Sequence, residues 1–390
     1  RGLGDVYKRQ IITFDKIAPD ALLTFTQFAP VPKSEFEGID PLQVQQAPFF
    51  QHPIGCGPFM VEEVNMKNYT ILAPFDKYYN GVADFKIQLL PSAGDSDPNV
   101  VTRAKSGNLD YGYTKMVADV QALEGTPGIT VTPIDVRYTR LFYLNKFDKK
   151  DGSPAPLADV RVRQALRYAI DMETICETLF QGSAVPANAL APDANLKGGD
   201  LNDYNYNPEK AKELLAEANW DPNTVIKAVY YYTDQATVDL MTAVQAYLAD
   251  VGIKMEFELV EGDLATILWA APADQTNGPR AVDWDICYAA NAALSLHEYY
   301  DRYRTGSPTN SHTPEDAELN RLIDATNASA DVNAQNEAFK ELIKYENENL
   351  FTMALYYQPI FLITSDKIGD IQKGTPQFCI NWDIQNWNVQ

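Results

Sequence analysis

Eight residues have side chains that can recognise a small polar solute, and each lies near the end of a predicted strand or helix. They are Tyr143, Asn145, Trp269, Tyr288, Asn291, Ser295, Tyr357 and Gln358. Aromatic rings offer flat apolar faces, while amides and hydroxyls donate and accept hydrogen bonds. We therefore expect these residues to contribute to a binding site. Packing in the core or at its rim is the competing interpretation for each tyrosine and for Trp269, which we place in a loop after a helix.

Catalytic and metal-binding chemistry has weaker support. The three histidines are His52, His297 and His312, and neither His52 nor His312 has the spaced partners of a metal site or a catalytic triad. A glycoside hydrolase needs two carboxylates at a defined separation, and among 53 acidic residues some pair always lies close. We expect no catalytic residue, no metal and no cofactor, and keep a glycoside hydrolase as the alternative from another class.

The composition sets further limits. With 390 residues, of which 45% are hydrophobic, the chain is long enough for two domains. A net charge of −21 opposes binding to nucleic acid or to an anionic membrane. The longest largely apolar run, Leu264 to Ala273, is half of the ~20 residues that a membrane-spanning helix needs. The four cysteines are widely spaced, and we interpret Cys176 as a small core residue.

A central segment has the clearest local pattern. A hydrophobic strand over residues 140–145 is followed by a helix predicted from Val160 to Phe180, with Asp159 as its N-cap and Gly182 beyond its end. Apolar residues recur in this helix at three- and four-residue steps, which predicts one buried side. The small, proline-interrupted run at 183–192 is predicted as a loop.

The remaining segments alternate between strand and helix patterns. Before residue 140 we predict a strand at 11–14, a helix start at 19–23, a hairpin of strands 59–64 and 69–72, a strand at 85–90, a helix at 99–106 and a strand at 131–138. After the central segment we predict helices at 208–218, 237–251, 314–326 and 333–348, and strands at 225–232, 253–260, 285–290 and 352–363. A helix is predicted between the strands at 225–232 and 253–260, which indicates that these two strands are parallel.

Four motifs follow one another along the chain. They are H-P-I-G-C-G-P-F at 52–59 with F-D-K-Y-Y-N-G at 75–81; D-V-R-V-R-Q-A-L-R-Y-A-I-D at 159–171 with G-S-A-V-P-A-N-A-L-A-P at 182–192; Y-N-P-E-K-A-K-E-L-L-A-E-A-N-W at 206–220; and Y-Y-Q-P-I-F-L-I at 356–363. In this order they resemble family 5 of the extracellular solute-binding proteins, the oligopeptide and dipeptide receptors of ABC importers. Cys56 stands where the family usually has threonine. No single motif is specific to the family, but the occurrence of all four in this order makes the resemblance specific.

The resemblance implies a fold and a domain organisation. It implies an α/β, two-lobed periplasmic-binding-protein-like fold of type II, of the large peptide-binding class, in which two crossing strands form the hinge. Residues 11–142 form part of the first lobe, 143–356 the second lobe, and 357–390 return to the first. We expect a preceding segment of the first lobe to be missing from this sequence. Residues 1–10 are interpreted as a non-native leader.

The resemblance also implies a function. Members are extracytoplasmic substrate-binding components of ABC importers, which capture a peptide or other small solute in a cleft between the lobes and deliver it to the membrane permease. The implied protein is a monomer, periplasmic or anchored as a lipoprotein on the outer face of a bacterial cell. A signal sequence is not visible because the N-terminus is expected to be missing.

One departure from the family bears on the ligand. Peptide-binding members place an aspartate shortly after a tryptophan, where it pairs with the peptide's amino group; here Asn291 and Leu294 stand at these positions. Leaving that amino group unpaired costs about 2–5 kcal/mol. An oligosaccharide or other non-peptide solute is therefore an alternative, and Glu298 or Asp301 takes the aspartate's role if the alignment is shifted. A peptide-binding chaperone is a further alternative.

Overall fold

The computed structural model describes residues 11–26, 29–65, 67–92, 97–134, 139–191, 196, 200–291, 295–369, 371 and 383–390. The chain divides into two compact units. The larger contains the residues up to Leu23 together with Arg137–Gln358, and the smaller contains Thr24–Val136 and Pro359–Gln390. The domain boundaries drawn from the sequence remain a prediction. The leader at 1–10 lies outside the described residues.

The smaller unit is built on short antiparallel sheets. Its elements in the segment Thr24–Val136 are α1 (Ala21–Thr26, which begins in the larger unit), β1 (Phe59–Asn65), β2 (Tyr69–Pro74), β3 (Ile87–Leu89), α2 (Val100–Lys105), β4 (Tyr111–Thr114), α3 (Val117–Leu123) and β5 (Ile129–Ile134). Short 3-10 helices lie at Lys33–Glu35, Pro41–Gln46, Pro48–Gln51 and Ile384–Asn386. Strands β1 and β2 form the predicted hairpin, and β3 pairs with β2.

The larger unit is built around a six-stranded sheet. Its elements are β6 (Thr139–Leu144), α4 (Val160–Ala169), α5 (Met172–Thr178), β7 (Val185–Pro186), α6 (Pro208–Glu217), β8 (Val225–Tyr230), α7 (Gln235–Asp250), β9 (Lys254–Leu259), α8 (Leu264–Trp269), β10 (Ile286–Asn291), α9 (Leu296–Asp301), α10 (Ala317–Thr326), α11 (Val332–Asn349) and β11 (Thr352–Tyr357). The strand order is β7-β11-β6-β10-β8-β9. The chain then enters the smaller unit through β12 (Ile360–Ser365), β13 (Ile368–Gly369) and β14 (Asn388–Val389), and β12 lies between β4 and β5.

The sheet of the larger unit has a core on each face because successive side chains of a strand point to opposite sides. Phe142 and Leu144 pack with α4, α5, α6 and α7 in one core. Leu141 and Tyr143 pack in the other core, with the loop at 187–191 and with α9, α10 and α11. We call these the first and second cores. Strand β6 is buried along its whole length, which accounts for its continuous apolar sequence.

The long central helix predicted from Val160 to Phe180 is wrong. The chain forms two helices, α4 and α5, separated by Ile170 in an extended conformation (φ −99°, ψ 117°). Asp171 begins the second helix, and its side chain accepts a hydrogen bond from the backbone N–H of Thr174. An aspartate can satisfy a free N–H in the first turn of a helix in this way, so a second helix begins at Met172. The apolar spacing of the sequence therefore runs from α4 into α5, although the helix itself is interrupted.

Two strand predictions also fail. Residues 11–14 have no regular structure, and Ile11, Ile12 and Phe14 are exposed. Strand-forming residues without a pairing strand gain little from an extended conformation. The single strand predicted at 352–363 is two strands, β11 and β12, in different sheets. Pro359, between them, has no backbone N–H to continue a ladder.

Candidate functional site

Four strands of the larger sheet end at the same edge. β8, β9 and β10 are parallel, and β11 runs with them because both β10 and β11 are antiparallel to β6. Asn291 and Tyr357 at the ends of β10 and β11 both lie opposite Thr139, the first residue of β6. We call this edge the carboxyl edge. Ligands of α/β proteins commonly bind beyond the carboxyl ends of strands.

A polar aromatic cluster lies beside the carboxyl edge, within the first core. The hydroxyl oxygens of Tyr288 and Tyr356 are 2.6 Å apart. The guanidinium carbon of Arg140 lies 4.8 Å from the ring centre of Tyr232, whose hydroxyl accepts a hydrogen bond from the backbone N–H of Ala290. Burial raises the pKa of Tyr288 to about 12, partly offset by the positive charge of Arg140. The phenol of Tyr288 therefore acts as a neutral hydrogen-bonding group at physiological pH.

The small-residue loop at 187–191 is held against the same edge. The hydroxyl of Tyr357 lies 2.7 Å from the carbonyl oxygen of Ala189 and 3.2 Å from that of Ala191. The hydroxyl of Thr139 donates to the carbonyl oxygen of Leu190 at 2.6 Å. Tyr357, predicted as a ligand contact, thus uses its hydroxyl to position the loop, and the residue as a whole is half-buried.

A second cluster lies on the other face of the sheet. The rings of Tyr143 and Trp269 meet edge to face with centres 4.9 Å apart. Arg302, just after α9, places its Nη1 atom 3.5 Å from the hydroxyl oxygen of Tyr143. Trp269 is the last residue of α8 and not a loop residue, since the helix continues through the apolar run 264–269. Tyr143 and Tyr288 were predicted to share a site, but they lie in different cores, with β6 and β10 between their side chains.

Ser295 has a partner that is distant in the sequence. It is the N-cap of α9, accepting from the backbone N–H of Glu298, and its hydroxyl donates to the carboxylate of Asp20. The other Asp20 oxygen is 3.8 Å from Nε2 of His297. Glu298 and Asp301, which the sequence offered as carboxylates for this region, are exposed to solvent. Asp20 thus places a half-buried carboxylate beside Ser295, the residue that follows Leu294 in the sequence. Leu294, the predicted position of the family aspartate, lies outside the described residues.

Asn145 lies away from the carboxyl edge. It follows the last residue of β6, and five residue steps along that strand separate Thr139 from Leu144, roughly 17 Å. Its backbone N–H donates to the carbonyl oxygen of Asp285, and its Oδ1 accepts from the backbone N–H of Phe147. Its Nδ2 is buried without a hydrogen-bond partner among the described residues.

The structure therefore brings the predicted residues together in separate groups. Asn291, Tyr357 and Gln358 share the carboxyl edge, Tyr143 pairs with Trp269, and Ser295 pairs with Asp20. The sequence analysis missed Asp20, Arg140, Tyr232 and Arg302. The run of three tyrosines ending at Tyr232 was a visible signal, whereas nothing near Asp20 or Arg302 in the sequence indicated their contacts.

Two absences hold for the part of the chain that the structure describes. Its histidines, cysteines and carboxylates form no group of three or more able to hold a metal ion. None of its helices is long and apolar enough to cross a membrane.

The chain matches one protein family and several of its relatives. The profile of the bacterial extracellular solute-binding proteins, family 5 middle, matches residues 9–313. A Brucella ovis protein named as an ABC transporter peptide-binding protein is 28% identical over 254 residues, which cover 64% of this chain and 46% of that protein. Heme-binding protein A of Haemophilus influenzae is 29% identical over 172 residues, which cover 44% of this chain and 30% of that protein. The chain thus spans at most about half the length of these relatives.

A solved structure has the same fold. The crystal structure of the ABC transporter substrate-binding protein CtaP from Listeria monocytogenes superposes with a TM-score of 0.79, covering 97% of this chain and 75% of that one. The two sequences are 20% identical, so the likeness concerns the fold alone. It confirms the α/β fold class predicted from the sequence.

Proposed function

Because the chain belongs to family 5 of the bacterial extracellular solute-binding proteins, we propose that it is the solute-binding component of an ABC importer. It captures a peptide or other small solute outside the cytoplasm and delivers it to permease subunits in the membrane. The observation that carries this proposal is the family match over residues 9–313. We further propose that it acts as a monomer, in the periplasm or as a lipoprotein on the outer face of the cell.

The carboxyl edge supports binding as its chemistry. It brings the amides of Asn291 and Gln358, which are 7% and 8% exposed, and the half-buried Tyr357 into one short stretch of three adjacent strands. Amides recognise the hydrogen-bonding groups of peptides and sugars alike, and a ring adds an apolar face. We propose that this edge contacts the solute.

Two ligand classes remain candidates. A peptide is supported by the name of the Brucella relative and by Asp20, whose half-buried carboxylate beside Ser295 has the charge that pairs with an amino group. A non-peptide solute, such as an oligosaccharide, is supported by the tyrosines and amides of the edge and by the absence of an acidic residue at Leu294 in the sequence. The name of the Haemophilus relative extends the class of small solutes to heme.

Native mass spectrometry of the purified chain tests the proposal. A retained mass that fragments into an amino-acid ladder identifies a peptide, and a hexose series identifies an oligosaccharide. Failure to retain or bind any solute of either series contradicts the proposed function. Chemical conversion of a bound solute also contradicts it, because the protein is then an enzyme.

A paired substitution tests the carboxyl edge. Replacing Asn291 by Ala is expected to weaken binding of the identified solute about tenfold, the effect of one lost hydrogen bond. The control is Asn333→Ala, because Asn333 is exposed on α11, away from the sheet. If Asn291→Ala binds the solute with unchanged affinity, the solute does not contact Asn291 at the carboxyl edge. The proposal that the protein binds a solute is unaffected by that result.

A further inference from the structure

Two Asn-Gly dipeptides occur in the sequence, at Asn80-Gly81 and at Asn277-Gly278. An asparagine followed by glycine is open to spontaneous deamidation, because glycine has no Cβ to obstruct the attack of its backbone nitrogen on the asparagine side chain. The reaction needs a backbone nitrogen that can approach that side chain and is not engaged in a hydrogen bond. The structure places the two dipeptides in different surroundings.

Asn277-Gly278 lies in a tight turn that Asp274 holds. The backbone N–H of Gly278 donates to the carbonyl oxygen of Asp274 at 3.1 Å, and the backbone N–H of Asn277 donates to Oδ1 of Asp274 at 3.2 Å. Gly278 is buried, and a Cβ built on it would lie 2.4 Å from the same carbonyl oxygen. The nitrogen of Gly278 is therefore engaged and closely packed.

Asn80-Gly81 lies in a turn between β2 and β3. Both residues are exposed to solvent, and within the described ranges the backbone N–H of Gly81 makes no hydrogen bond. Gly81 has a φ of +97°, which side chains with a Cβ rarely allow, and an added Cβ would lie 3.1 Å from Oδ1 of Asn386. The turn thus requires the glycine that makes Asn80 reactive.

Asn80 also contacts residues 383–390, which we call the 383–390 segment. Its Nδ2 donates to Oδ1 of Asp383 at 3.4 Å, and its backbone carbonyl oxygen accepts from Nε2 of Gln385 at 3.3 Å. Both distances are long for hydrogen bonds, so the Asn80 side chain is weakly restrained. The same two contacts join the turn to a segment that is distant in the sequence.

We propose that Asn80 is the preferred site of deamidation in this chain, and that the reaction loosens the 383–390 segment. The nitrogen of Gly81 loses its proton and bonds to Cγ of Asn80, while the Cγ–Nδ2 bond breaks and the side-chain nitrogen leaves as ammonia. Water then opens the resulting succinimide. Cleavage between Cγ and the Gly81 nitrogen gives aspartate, and cleavage between the Asn80 carbonyl carbon and that nitrogen gives isoaspartate.

Either product changes the contacts with the 383–390 segment. Aspartate replaces the Nδ2 donor by a carboxylate beside Asp383, and the two like charges repel each other. Asp383 accepts from Nε2 of Gln385 and Nδ2 of Asn386, so the repulsion acts where the segment's own hydrogen bonds converge. Isoaspartate routes the main chain through the former side chain, which displaces the carbonyl group that accepts from Gln385.

Ageing the purified chain at a mildly alkaline pH tests the site, because base removes the proton from the attacking nitrogen. Peptide mapping by mass spectrometry measures the conversion of each asparagine. We expect Asn80 to convert at least about tenfold faster than Asn277, because the nitrogen of Gly278 must first give up its hydrogen bond. In concentrated urea the two rates should become similar. Equal rates in the folded chain, or a faster rate at Asn277, overturn the proposal.

Hydrogen–deuterium exchange tests the consequence. Asn80→Asp reproduces the aspartate product, and the backbone N–H groups of Asn386, Trp387 and Gln390 are hydrogen-bonded in the unmodified chain. We expect these groups to exchange at least about threefold faster in Asn80→Asp, because the segment opens more often. Asn277→Asp is the matched control and should leave their exchange unchanged. If Asn80→Asp exchanges like the unmodified chain, the loosening is refuted.

These results are independent of the proposed solute binding. The turn at Asn80 and the 383–390 segment belong to the smaller unit, whereas the carboxyl edge belongs to the larger one. Failure of either test therefore leaves the proposed function standing, and failure to bind a solute leaves the deamidation site standing.

Discussion

The hydroxyl oxygens of Tyr288 and Tyr356 lie 2.6 Å apart, and these residues come from β10 and β11, the two strands that flank β6. Their side chains thus meet over the central strand inside the first core. Burial raises the pKa of both phenols, so both remain neutral and one donates to the other. The contact ties together two strands whose ends form the carboxyl edge.

Replacing either tyrosine by phenylalanine is expected to lower the free energy of unfolding by about 1–3 kcal/mol, because the remaining hydroxyl is left buried without its partner. The double variant Tyr288→Phe/Tyr356→Phe should lose less than the sum of the two single losses. Urea denaturation measures all three. Tyr79→Phe, at a residue that is 88% exposed, is the control and should change stability by less than about 0.5 kcal/mol. Strict additivity of the two single changes contradicts a direct interaction.

The ion pair of Arg280 with Asp285 should be a major local contribution to stability. The atoms Nη1 and Oδ1 are 2.6 Å apart, both side chains are buried, and the other Asp285 oxygen accepts from the backbone N–H of Lys227. Asp285→Ala is expected to cost about 3–5 kcal/mol, because it removes the buried counter-charge of the guanidinium and leaves, among the described residues, only the exposed Asp283, 3.7 Å away, as a carboxylate partner. The matched control is Glu258→Ala, which removes an exposed partner of Lys227 and should cost at most about 1 kcal/mol. Similar losses in the two variants, by thermal or urea unfolding, would refute this prediction.

Glu346 should make stability depend on pH. Burial raises its pKa to about 7, while hydrogen bonds from Thr352 and the charge of Lys146 oppose the rise. Because the unfolded carboxyl titrates near 4.5, the folded state holds the proton more tightly between pH 4.5 and pH 7. The stabilisation is therefore fully present below pH 4.5 and is lost as the pH rises through about 7.

Glu346→Gln isolates this effect, since glutamine stays neutral at every pH. The free energy of unfolding of the unmodified chain, minus that of the variant, should fall between pH 4.5 and pH 7 and then level off. Burial also lowers the pKa of Lys146, which acts in the opposite direction, but Lys146 is present in both proteins. A difference that stays constant across this range means that Glu346 does not hold its proton.

The break between α4 and α5 should depend on the cap at Asp171. Its Oδ1 accepts from the backbone N–H of Thr174 at 3.0 Å, and its Oδ2 accepts from the hydroxyl of the same residue at 2.7 Å. Asp171→Ala is expected to cost about 1 kcal/mol, whereas Asp171→Asn, which keeps a capping oxygen, should cost a few tenths. Equal losses in the two variants, measured by urea denaturation, would show that the cap is not responsible.

Thiol reactivity should separate the described cysteines. Cys56 is exposed, whereas Cys176 and Cys287 are buried. Burial raises the pKa of the Cys176 thiol to about 12 and also raises that of Cys287. Only a thiolate is nucleophilic, so iodoacetamide should label Cys56 quickly and the other two only after unfolding. Peptide mapping by mass spectrometry measures the rates, and fast labelling of Cys176 or Cys287 in the native protein contradicts their burial.

Local features could be predicted from the sequence because they depend on neighbours in the chain. Asp159 is an N-cap as expected, and its side chain accepts from the backbone N–H of Arg161. The helix predicted at 208–218 is α6, which begins at Pro208. The strands β8 and β9 are parallel and flank α7, as the order of patterns indicated. The resemblance of four motifs was enough to identify the family and hence the fold.

The arrangement of the candidate sites was decided by tertiary structure. Ser295 and Asp20 are 275 residues apart in the sequence, and Arg302 and Tyr143 are 159 apart, yet each pair is in contact. No periodicity links such residues, because their proximity follows from the strand order β7-β11-β6-β10-β8-β9 and from where α9 packs on that sheet. The sequence by itself determined which side chains can bind a solute and which segments are helices or strands. Only the folded chain decided which of those side chains lie together, since contacts across a sheet depend on strand pairing rather than on distance along the chain.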